Sequence, residues 1–396
     1  MINFSDSIEG FRAHVPVARE WAYLITASTG LVPDFVYDGV RRYLDERYLK
    51  GGDSTWLFDE GTTGTLAMLE RSKAALAAMI GGRADRIAFG QSSTQLFTMV
   101  TDAVEYAPGS NVVAVDRGWI GNRFAWQNRA DGGLEVRFVL PEGGVVSAGS
   151  VEALCDEKTA AVTVNLVESS TGCRFDLAEL GRFCRERGIL LYVDAVQAAG
   201  ALKIDVEAAG VDFLAGNDYK WMMDFCGTGY AYISERLQKR VKHWGAGWMS
   251  DTDRFDTSKA HITLREDAGR FEIGYPNAAG AYGLGLAAEQ YNRLGAAEIE
   301  NCVMSLAGYF RERVDATRGL SLTYALPEKN LSQIVSVDLD PSLAVTEEDF
   351  RAAKVFIPGI GVRPDGGRFM RVSFHYYNNR EDIDRFFDVI GAAARR

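Results

Sequence analysis

Closely spaced histidines and cysteines are missing from this sequence, and their absence argues against a zinc site built by the protein. The four histidines form no HExxH motif and no paired spacing, and no CxxC pair occurs among the five cysteines. Zinc sites in proteins are built from such closely spaced ligands. An odd number of widely spaced cysteines is also typical of reduced cytoplasmic thiols rather than of a disulfide framework.

Long apolar runs and an excess of basic residues are missing as well. No apolar run approaches the ~20 residues of a membrane span. Asp6 and Glu9 stand where a signal peptide would be basic and then apolar. With 43 Lys and Arg against 54 Asp and Glu, the net charge is −11, which repels the phosphates of nucleic acids. We expect a cytoplasmic protein that has neither a membrane nor a nucleic acid as its partner.

The glycine motifs of nucleotide-binding folds are absent too. No GxxxxGK[ST] motif occurs, which excludes a P-loop. Gly283, Gly285 and Ala288 spell GxGxxA, but they follow Pro276 and Asn277 rather than a strand. A Rossmann oxidoreductase would need this motif after a strand and an acid ~20 residues later. We expect these glycines to allow close helix packing instead.

A regular alternation of strands and helices is present between residues 65 and 260. The chain has 396 residues, enough for two to three domains at ~150 residues each. Apolar segments lie at 87–89, 112–115, 136–140, 161–166, 189–193, 211–214 and 229–233. Strands that are apolar throughout and alternate with helices predict an α/β fold whose mostly parallel sheet is flanked by helices.

The pattern changes after about residue 278. Long helical stretches at 279–294 and 298–317 precede apolar segments at 334–339, 355–358 and 369–374 and a last helix at 382–393. This mixture predicts a smaller, mostly antiparallel α+β C-terminal domain. We assign residues 16–265 to a large domain, and residues 266–396, together with 1–15, to the small domain.

A turn rich in hydroxyl groups follows the first strand of the alternating region. Gly90 and Gln91 lead into Ser92, Ser93 and Thr94, which open a helix. The N-terminus of a helix offers free N–H groups and a partial positive charge, so this turn could bind a phosphate. The alternative is that Ser93 or Thr94 merely caps the helix.

An acid and a lysine follow two later strands. Asp194 ends an apolar strand, and Lys220 follows the next one, among aromatic residues. Ligands of open parallel sheets bind at this edge, and burial favours the neutral amine that forms a Schiff base. Each residue alone could be a turn cap or a surface lysine. Together with the phosphate turn, in this order, they form the arrangement that pyridoxal phosphate requires.

Five motifs in the same order resemble the class V aminotransferase family of fold-type I pyridoxal-phosphate enzymes, which includes cysteine desulfurases, kynureninases and isopenicillin-N epimerases. They are ESSTG at 168–172, DAVQ at 194–197, Lys220 followed by GTG at 227–229, RVS at 371–373 and YNNREDI at 377–383. The resemblance covers nearly the whole chain.

The resemblance implies a role for each matching position around the cofactor. Ser92, Ser93 and Thr94 would bind the phosphate. Trp119 would stack on the pyridine ring, although it could also be a core aromatic at the sheet edge. Ser169 would approach the 3-oxygen of the pyridoxal.

The second half of the implied site surrounds the lysine. Asp194 would pair with the pyridine nitrogen, and Gln197 would also contact the 3-oxygen. Lys220 would form the Schiff base and move protons. Tyr219 stands where many members have histidine. A tyrosine at this position resembles the kynureninase branch and could donate to the phosphate.

An arginine is expected to hold the substrate carboxylate, because its planar fork makes two parallel bonds to one carboxylate. The family places this group at Arg371. Arg363 and Arg368 on the preceding loop are rivals, and Arg371 could instead be a surface residue paired with Asp365 or Glu381.

The departures from the family concern the reaction and the assembly. Residues 360–368 hold no cysteine, and Trp119 cannot act as acid or base, so persulfide-forming desulfuration is disfavoured. The resemblance implies transamination of an amino acid through an external aldimine; alternatives are a β-eliminating C–S lyase, a kynureninase-like or epimerase-like activity, or a non-catalytic pyridoxal-phosphate-binding protein. It also implies a homodimer, with Tyr275 and Asn277 where the partner is expected.

Overall fold

The computed structural model describes residues 2–51, 64–115, 118–242 and 245–395. Its strands, in chain order, are β1 (Ala22–Tyr23), β2 (Ile87–Gly90), β3 (Asn111–Val115), β4 (Glu135–Val139), β5 (Thr159–Asn165), β6 (Leu190–Asp194), β7 (Phe213–Asn217), β8 (Gly229–Ile233), β9 (Leu320–Leu322), β10 (Ile334–Leu339), β11 (Val355–Phe356), β12 (Gly361–Val362) and β13 (Arg368–Ser373).

Helices surround these strands. In chain order they are α1 (Ile8–Phe11), α2 (Asp34–Lys50), α3 (Thr65–Met79), α4 (Ser93–Ala103), α5 (Ile120–Asp131), α6 (Ala148–Glu152), α7 (Leu177–Glu186), α8 (Glu235–Gln238), α9 (Ala278–Leu294), α10 (Ala296–Asp315), α11 (Glu347–Ala352) and α12 (Arg380–Ala393). None of the helices in the described ranges is long and apolar enough to span a membrane.

The central sheet has seven strands in the order β2-β8-β7-β6-β5-β3-β4. Strands β3 to β7 pair in parallel, and β8 runs antiparallel to both of its neighbours. Strands β6, β7 and β8 are buried along their whole length, as their apolar sequences require when helices cover both faces. The predicted mostly parallel α/β sheet is confirmed.

A second sheet lies in the C-terminal part of the chain, with antiparallel pairing in the order β12-β13-β10-β9. Its core is aromatic, because Phe310 of α10 packs against Phe374, Phe386 and Phe387. The predicted smaller antiparallel region is confirmed.

The segment predicted as a strand at 355–358 does not join that sheet. It is shortened to β11, which pairs in parallel with β1 near the N-terminus. Phe356 packs against the rings of Trp21 and Tyr23. The apolar pattern therefore identified the strand, but its pairing partner is set by contacts with residues distant in sequence.

Helix α9 packs closely on α3 and α2. A Cβ atom at Gly285 would lie 2.2 Å from Ser72 Oγ, and one at Gly39 would lie 2.3 Å from the side chain of Leu286. The glycines of the GxGxxA segment thus serve helix packing, as expected. Buried residues of α9 share one core cluster with those of the central sheet, and the division of the chain near residue 265 stays a prediction.

Candidate functional site

The carboxyl ends of three neighbouring strands bring polar side chains to one edge of the central sheet. Asn165 at the end of β5 stands opposite Asp194 at the end of β6. The next strand, β7, ends at Asn217, three residues before Lys220. The strand-end positions that sequence analysis singled out therefore lie side by side.

Asp194 is a buried carboxylate. One of its oxygens accepts a hydrogen bond of 2.9 Å from the N–H of Val196. Burial raises the pKa of Asp194 to about 6, while the Val196 N–H and the charge of Lys220 act in the opposite direction. Because burial disfavours the charged form, this carboxylate is stabilised by a cationic partner. A protonated pyridine nitrogen is such a partner.

Lys220 is also buried, with an exposed fraction of 7%. Burial lowers the pKa of Lys220 to about 8, Asp194 opposes this shift, and Arg371 adds to it. The lysine therefore holds a larger neutral fraction near pH 7 than a surface lysine, and the neutral amine is the nucleophile. Its Nζ lies 5.4 Å from the centre of the Trp119 ring and 5.8 Å from that of Tyr219.

A loop near the N-terminus fixes the main chain at this lysine. The N–H of Gly30 donates to the carbonyl of Tyr219 at 2.8 Å. A Cβ atom at residue 30 would lie 1.9 Å from the carbonyl oxygen of Lys220, so only glycine permits this approach. No sequence pattern marks this loop, because its residues follow no helical or strand period.

The hydroxyl-rich turn caps helix α4. The Oγ of Ser92 accepts a bond of 3.1 Å from the N–H of Gln95. Ser92 is thus the cap, and not Ser93 or Thr94, which are the first two helical residues. Strand β8 packs directly on this turn, because a Cβ atom at Gly229 would lie 2.7 Å from the nitrogen of Ser93.

Trp119 lies beside the same turn, at the start of α5. Its side chain is 46% exposed, so it is not a core aromatic. A Cβ atom at Gly121 would lie 2.5 Å from Thr94 Oγ1 and 2.7 Å from Trp119 Nε1. Because residue 121 has no side chain, the indole of Trp119 and the hydroxyl of Thr94 can both pack against it.

One cleft collects half of the ten predicted site residues. It is lined by Trp119, Asn165, Val167, Ser169, Asp194, Val196, Gln197 and Lys220. Five of these were predicted from the sequence, and Asn165, Val167 and Val196 were not. The position of Asn165 at the end of an apolar strand was a usable signal, since the same argument identified Asp194.

The turn at 168–172 is held by its own acid and by the second sheet. The carboxylate of Glu168 accepts bonds of 2.7 and 2.9 Å from the N–H groups of Ser170 and Thr171. The hydroxyl of Ser336 on β10 donates to the carbonyl of Ser170 at 2.6 Å. Ser169 is thereby placed on the wall of the cleft.

Arg371 on β13 reaches the same turn. Its two terminal nitrogens donate to the carbonyl of Ser169 at 2.7 Å and to the hydroxyl of Ser28 at 2.8 Å. These contacts replace the alternative pairing with Asp365 or Glu381. Burial lowers the pKa of Arg371, and the charge of Glu168 opposes this.

The two rival arginines point elsewhere. Arg363 forms a bidentate pair with Asp338, at 2.8 and 2.9 Å. Arg368 donates to the carbonyls of Leu343 and Val345. Of the three arginines, Arg371 is the one that contacts a residue of the cleft.

Three further positions that sequence analysis named lie around the turn and α9. Tyr219 is half-buried next to Lys220. Burial raises the pKa of Tyr275 to about 12, and a hydrogen bond with Thr65 of the same chain lowers it. Asn277 caps α9 and donates to the hydroxyl of Thr228 at 3.1 Å. The contact of Tyr275 with a partner subunit's phosphate stays a prediction.

The side chains and main-chain groups of the site fit pyridoxal phosphate. A buried carboxylate, a buried lysine and a helix N-terminus with hydroxyl side chains stand along one sheet edge, next to an aromatic ring. Among the residues that the structure describes, no group of three or more His, Cys, Asp or Glu side chains could hold a metal ion.

Comparison with known proteins agrees with this geometry. The sequence model of the family "Aminotransferase class-V" matches residues 22–386. A probable cysteine desulfurase of Methanothermobacter thermautotrophicus is 28% identical over 389 residues, which cover 95% of each chain. Isopenicillin N epimerase of Amycolatopsis lactamdurans is 26% identical over 343 residues, covering 82% of this chain and 84% of that protein.

Solved structures show the same fold. A lysine-to-alanine mutant of C-DES with glycine covalently linked to its pyridoxal-phosphate cofactor superposes with a TM-score of 0.83 at 18% identity, covering 97% of this chain and 98% of the other. The cysteine desulfurase CsdA of Escherichia coli gives a TM-score of 0.81 at 20% identity, with 98% of both chains covered. The protein therefore belongs to the class V aminotransferase family and is a pyridoxal-phosphate-dependent enzyme.

Proposed function

We propose that this enzyme removes the Cα proton of a free amino acid with Lys220 and completes a transamination. The observation that carries the proposal is the buried Lys220 amine, whose pKa is lowered to about 8, in a cleft that it shares with Asp194. Bound pyridoxal phosphate supplies the electron sink for the carbanion. Lys220 is then suited both to take a proton at Cα and to return one during transamination.

The other side chains have supporting roles in this proposal. Arg371 holds the substrate carboxylate. To do so, its guanidinium gives up its hydrogen bonds to Ser169 and Ser28 and binds the carboxylate instead. Asp194 keeps the pyridine nitrogen protonated, which strengthens the electron sink. The contacts to the 3-oxygen and to the phosphate come from Ser169 and Gln197, and from Ser92, Ser93, Thr94 and Tyr219.

A second candidate is β-elimination from a sulfur-containing amino acid. It is favoured by the relatives, which include proteins named as probable cysteine desulfurases and a cystine C–S lyase. The loop at 360–368 holds no cysteine to accept sulfur, so sulfur would leave in solution rather than on the protein. An epimerase needs a second acid–base group. Trp119, which lies near Lys220, offers none, and Tyr219, the other ring near this lysine, binds the phosphate in this proposal.

The products of single amino acids separate these candidates. The holoprotein is mixed with each amino acid without an acceptor, and the cofactor is analysed by mass spectrometry while pyruvate, ammonia and sulfide are measured. Transamination predicts one keto acid and one pyridoxamine phosphate per site. Ammonia and pyruvate that accumulate without conversion of the cofactor would favour elimination. If no amino acid changes the cofactor or yields a product, both candidates fail.

We also propose that the enzyme is a cytoplasmic homodimer. All five cysteines are free thiols, which suits a reducing compartment. Tyr275 and Ile273 are exposed beside the cavity next to the phosphate turn, which is also lined by Gln91 and Asn277. A second copy would cover this apolar rim. Sedimentation at micromolar concentration should give twice the chain mass, and a stable, active monomer would contradict the dimer.

A further inference from the structure

The side-chain amide of Gln197 is held by two groups of opposite hydrogen-bonding character. Its Oε1 accepts from the indole Nε1–H of Trp221 at 2.8 Å. Its Nε2 donates to the carbonyl of Ala27 at 2.9 Å. An indole N–H can only donate and a carbonyl can only accept, so the amide cannot be reversed. The second N–H of Gln197 is the one left for the cleft that Gln197 lines.

Trp221 is fixed in turn by the C-terminal part of the chain. Its carbonyl lies 3.1 Å from Nε2 of His375, and the two rings stack at 5.7 Å with 9° between their planes. The His375 ring also stacks on Tyr377, at 4.4 Å. Because a carbonyl only accepts, Nε2 of His375 carries the proton.

The histidine is a neutral part of this contact. It is fully buried, and burial lowers the pKa of His375 to about 3. Its Nδ1 has no hydrogen-bond partner within the described ranges. A neutral ring donates one hydrogen bond to Trp221 over the whole pH range in which the enzyme would work.

We propose that Trp221 is a positioning residue that makes Gln197 a hydrogen-bond donor toward the 3-oxygen of the cofactor, and that His375 is a positioning residue that fixes Trp221. The inference rests on the proposed function, because the place of Gln197 beside the 3-oxygen is itself proposed. Trp221 directly follows the Schiff-base lysine, and His375 lies two residues after β13, which carries Arg371. The contacts thus join the lysine, the 3-oxygen site and the carboxylate site.

A donor at the 3-oxygen has a measurable effect on the bound cofactor. It stabilises negative charge on that oxygen, and it does so most when the lysine–cofactor linkage has lost its proton. The donor therefore lowers the pH at which the visible absorbance band converts. The charged groups that face this region are Lys220, Asp194, Arg371 and Glu168, and they are the same in every variant below.

The test is a double-mutant cycle on the holoprotein, with the pH midpoint of the visible band as its readout. Gln197→Ala should raise the midpoint by about one pH unit, the size of one hydrogen bond to a charged group. Trp221→Phe should also raise it, by no more than that amount, because the Ala27 carbonyl still binds Nε2 of Gln197. The double variant should show no larger shift than Gln197→Ala alone. Trp126→Phe is the matched control, because Trp126 is fully buried and its Nε1 has no partner among the described residues.

A second variant covers the case in which Trp221→Phe does not fold. His375→Phe keeps a stacked ring and removes the N–H donor, so it should raise the midpoint in the wild-type background and not in Gln197→Ala. Two results overturn the inference while leaving the proposed function intact: an unchanged midpoint in Trp221→Phe while Gln197→Ala shifts it, or shifts that add in the double variant. A wild-type protein that develops no visible band with pyridoxal phosphate overturns both.

Discussion

At the scale of single residues, burial shifts the pKa values of the two central ionisable groups, Asp194 and Lys220, toward neutral pH from opposite sides. It raises the pKa of Asp194 to about 6 and lowers the pKa of Lys220 to about 8, while each charge partly restores the other. A site of this kind is unfavourable when empty of its cofactor, because both groups lose hydration. In the proposed site, pyridoxal phosphate would offer each one a partner: its ring nitrogen for the acid and its aldehyde for the amine.

Arg371 can be tested by a substitution that keeps its charge. Arg371→Lys should raise the dissociation constant of the amino-acid substrate roughly ten- to a hundredfold, since one charge-assisted bond is worth about 1.5–3 kcal/mol. The visible band of the cofactor should not change. The measurement is a titration of the holoprotein with substrate, followed by its spectrum.

The control for Arg371 is Arg363→Lys. Arg363 pairs with Asp338 and is not among the residues that line the cleft, so substrate affinity should stay within about twofold of wild type. A large loss in Arg363→Lys and none in Arg371→Lys would move the carboxylate site to the loop before β13.

Some of the site residues could be found from sequence, and others could not, for a physical reason. Asp194 and Lys220 follow apolar strands, and parallel strands bring their carboxyl ends to one edge. Ser28 and Gly30 sit in an irregular segment whose contacts with Arg371 and Lys220 are made across the fold. No local pattern marks such residues.

At the scale of elements, the hydroxyl-rich turn is positioned by a strand rather than by side chains alone. Gly229 pairs with Gly90 of β2 and with Asn217 of β7, and a Cβ atom at this position would meet the main chain of Ser92 and Ser93. The absence of a side chain at residue 229 lets the turn lie directly on the sheet. Binding of the phosphate should therefore depend on this glycine.

Gly229→Ala tests this dependence. The added methyl group would lie 2.5 Å from the carbonyl carbon of Ser92, and overpacking of this kind costs about 1–3 kcal/mol. We expect the dissociation constant of pyridoxal phosphate to rise roughly tenfold or more, measured by absorbance titration of the apoprotein. Gly308→Ala in α10 is the control, because a Cβ atom there meets nothing within 4 Å. Equal cofactor affinity in a folded Gly229→Ala protein would contradict the role of the strand.

Strand bounds were more predictable than strand partners. The apolar segments at 229–233 and 334–339 coincide with β8 and β10, because each apolar run ends at a turn or a polar residue. The pairing of β11 with β1 and the antiparallel direction of β8 depend on where the chain returns to the sheet. Hydrophobic periodicity holds no information on that return.

At the scale of the whole molecule, one buried acid should make stability depend on pH. Asp224 is buried, and burial raises the pKa of its carboxyl well above the ordinary value, while the N–H groups of Phe225 and Leu284 act in the opposite direction. The unfolded chain ionises this group near pH ~4, whereas the folded protein keeps it protonated to higher pH. The stability that this group contributes is therefore fully present below pH ~4. It is lost as the pH rises through the pKa of Asp224 in the folded protein.

Asp224→Asn removes this titration. The melting temperature of the variant relative to wild type should be higher at about pH 8 than at about pH 5, by an amount equivalent to about 1–3 kcal/mol. The comparison between two pH values cancels any constant effect of the amide on packing. Asp388→Asn, on the exposed side of α12, should show no such difference. If Asp224→Asn follows wild type in parallel at both pH values, the buried acid is not the cause.

We propose that Lys220 holds pyridoxal phosphate as a Schiff base, and borohydride reduction identifies the lysine that does so. The holoprotein is reduced, digested and mapped by mass spectrometry for the pyridoxyl group. The site geometry predicts the label on Lys220, which stands beside Asp194 and Trp119 in the cleft, and predicts that Lys220→Ala lacks the visible band. A label on Lys203, Lys242 or any other lysine would contradict the assignment of the Schiff base to Lys220.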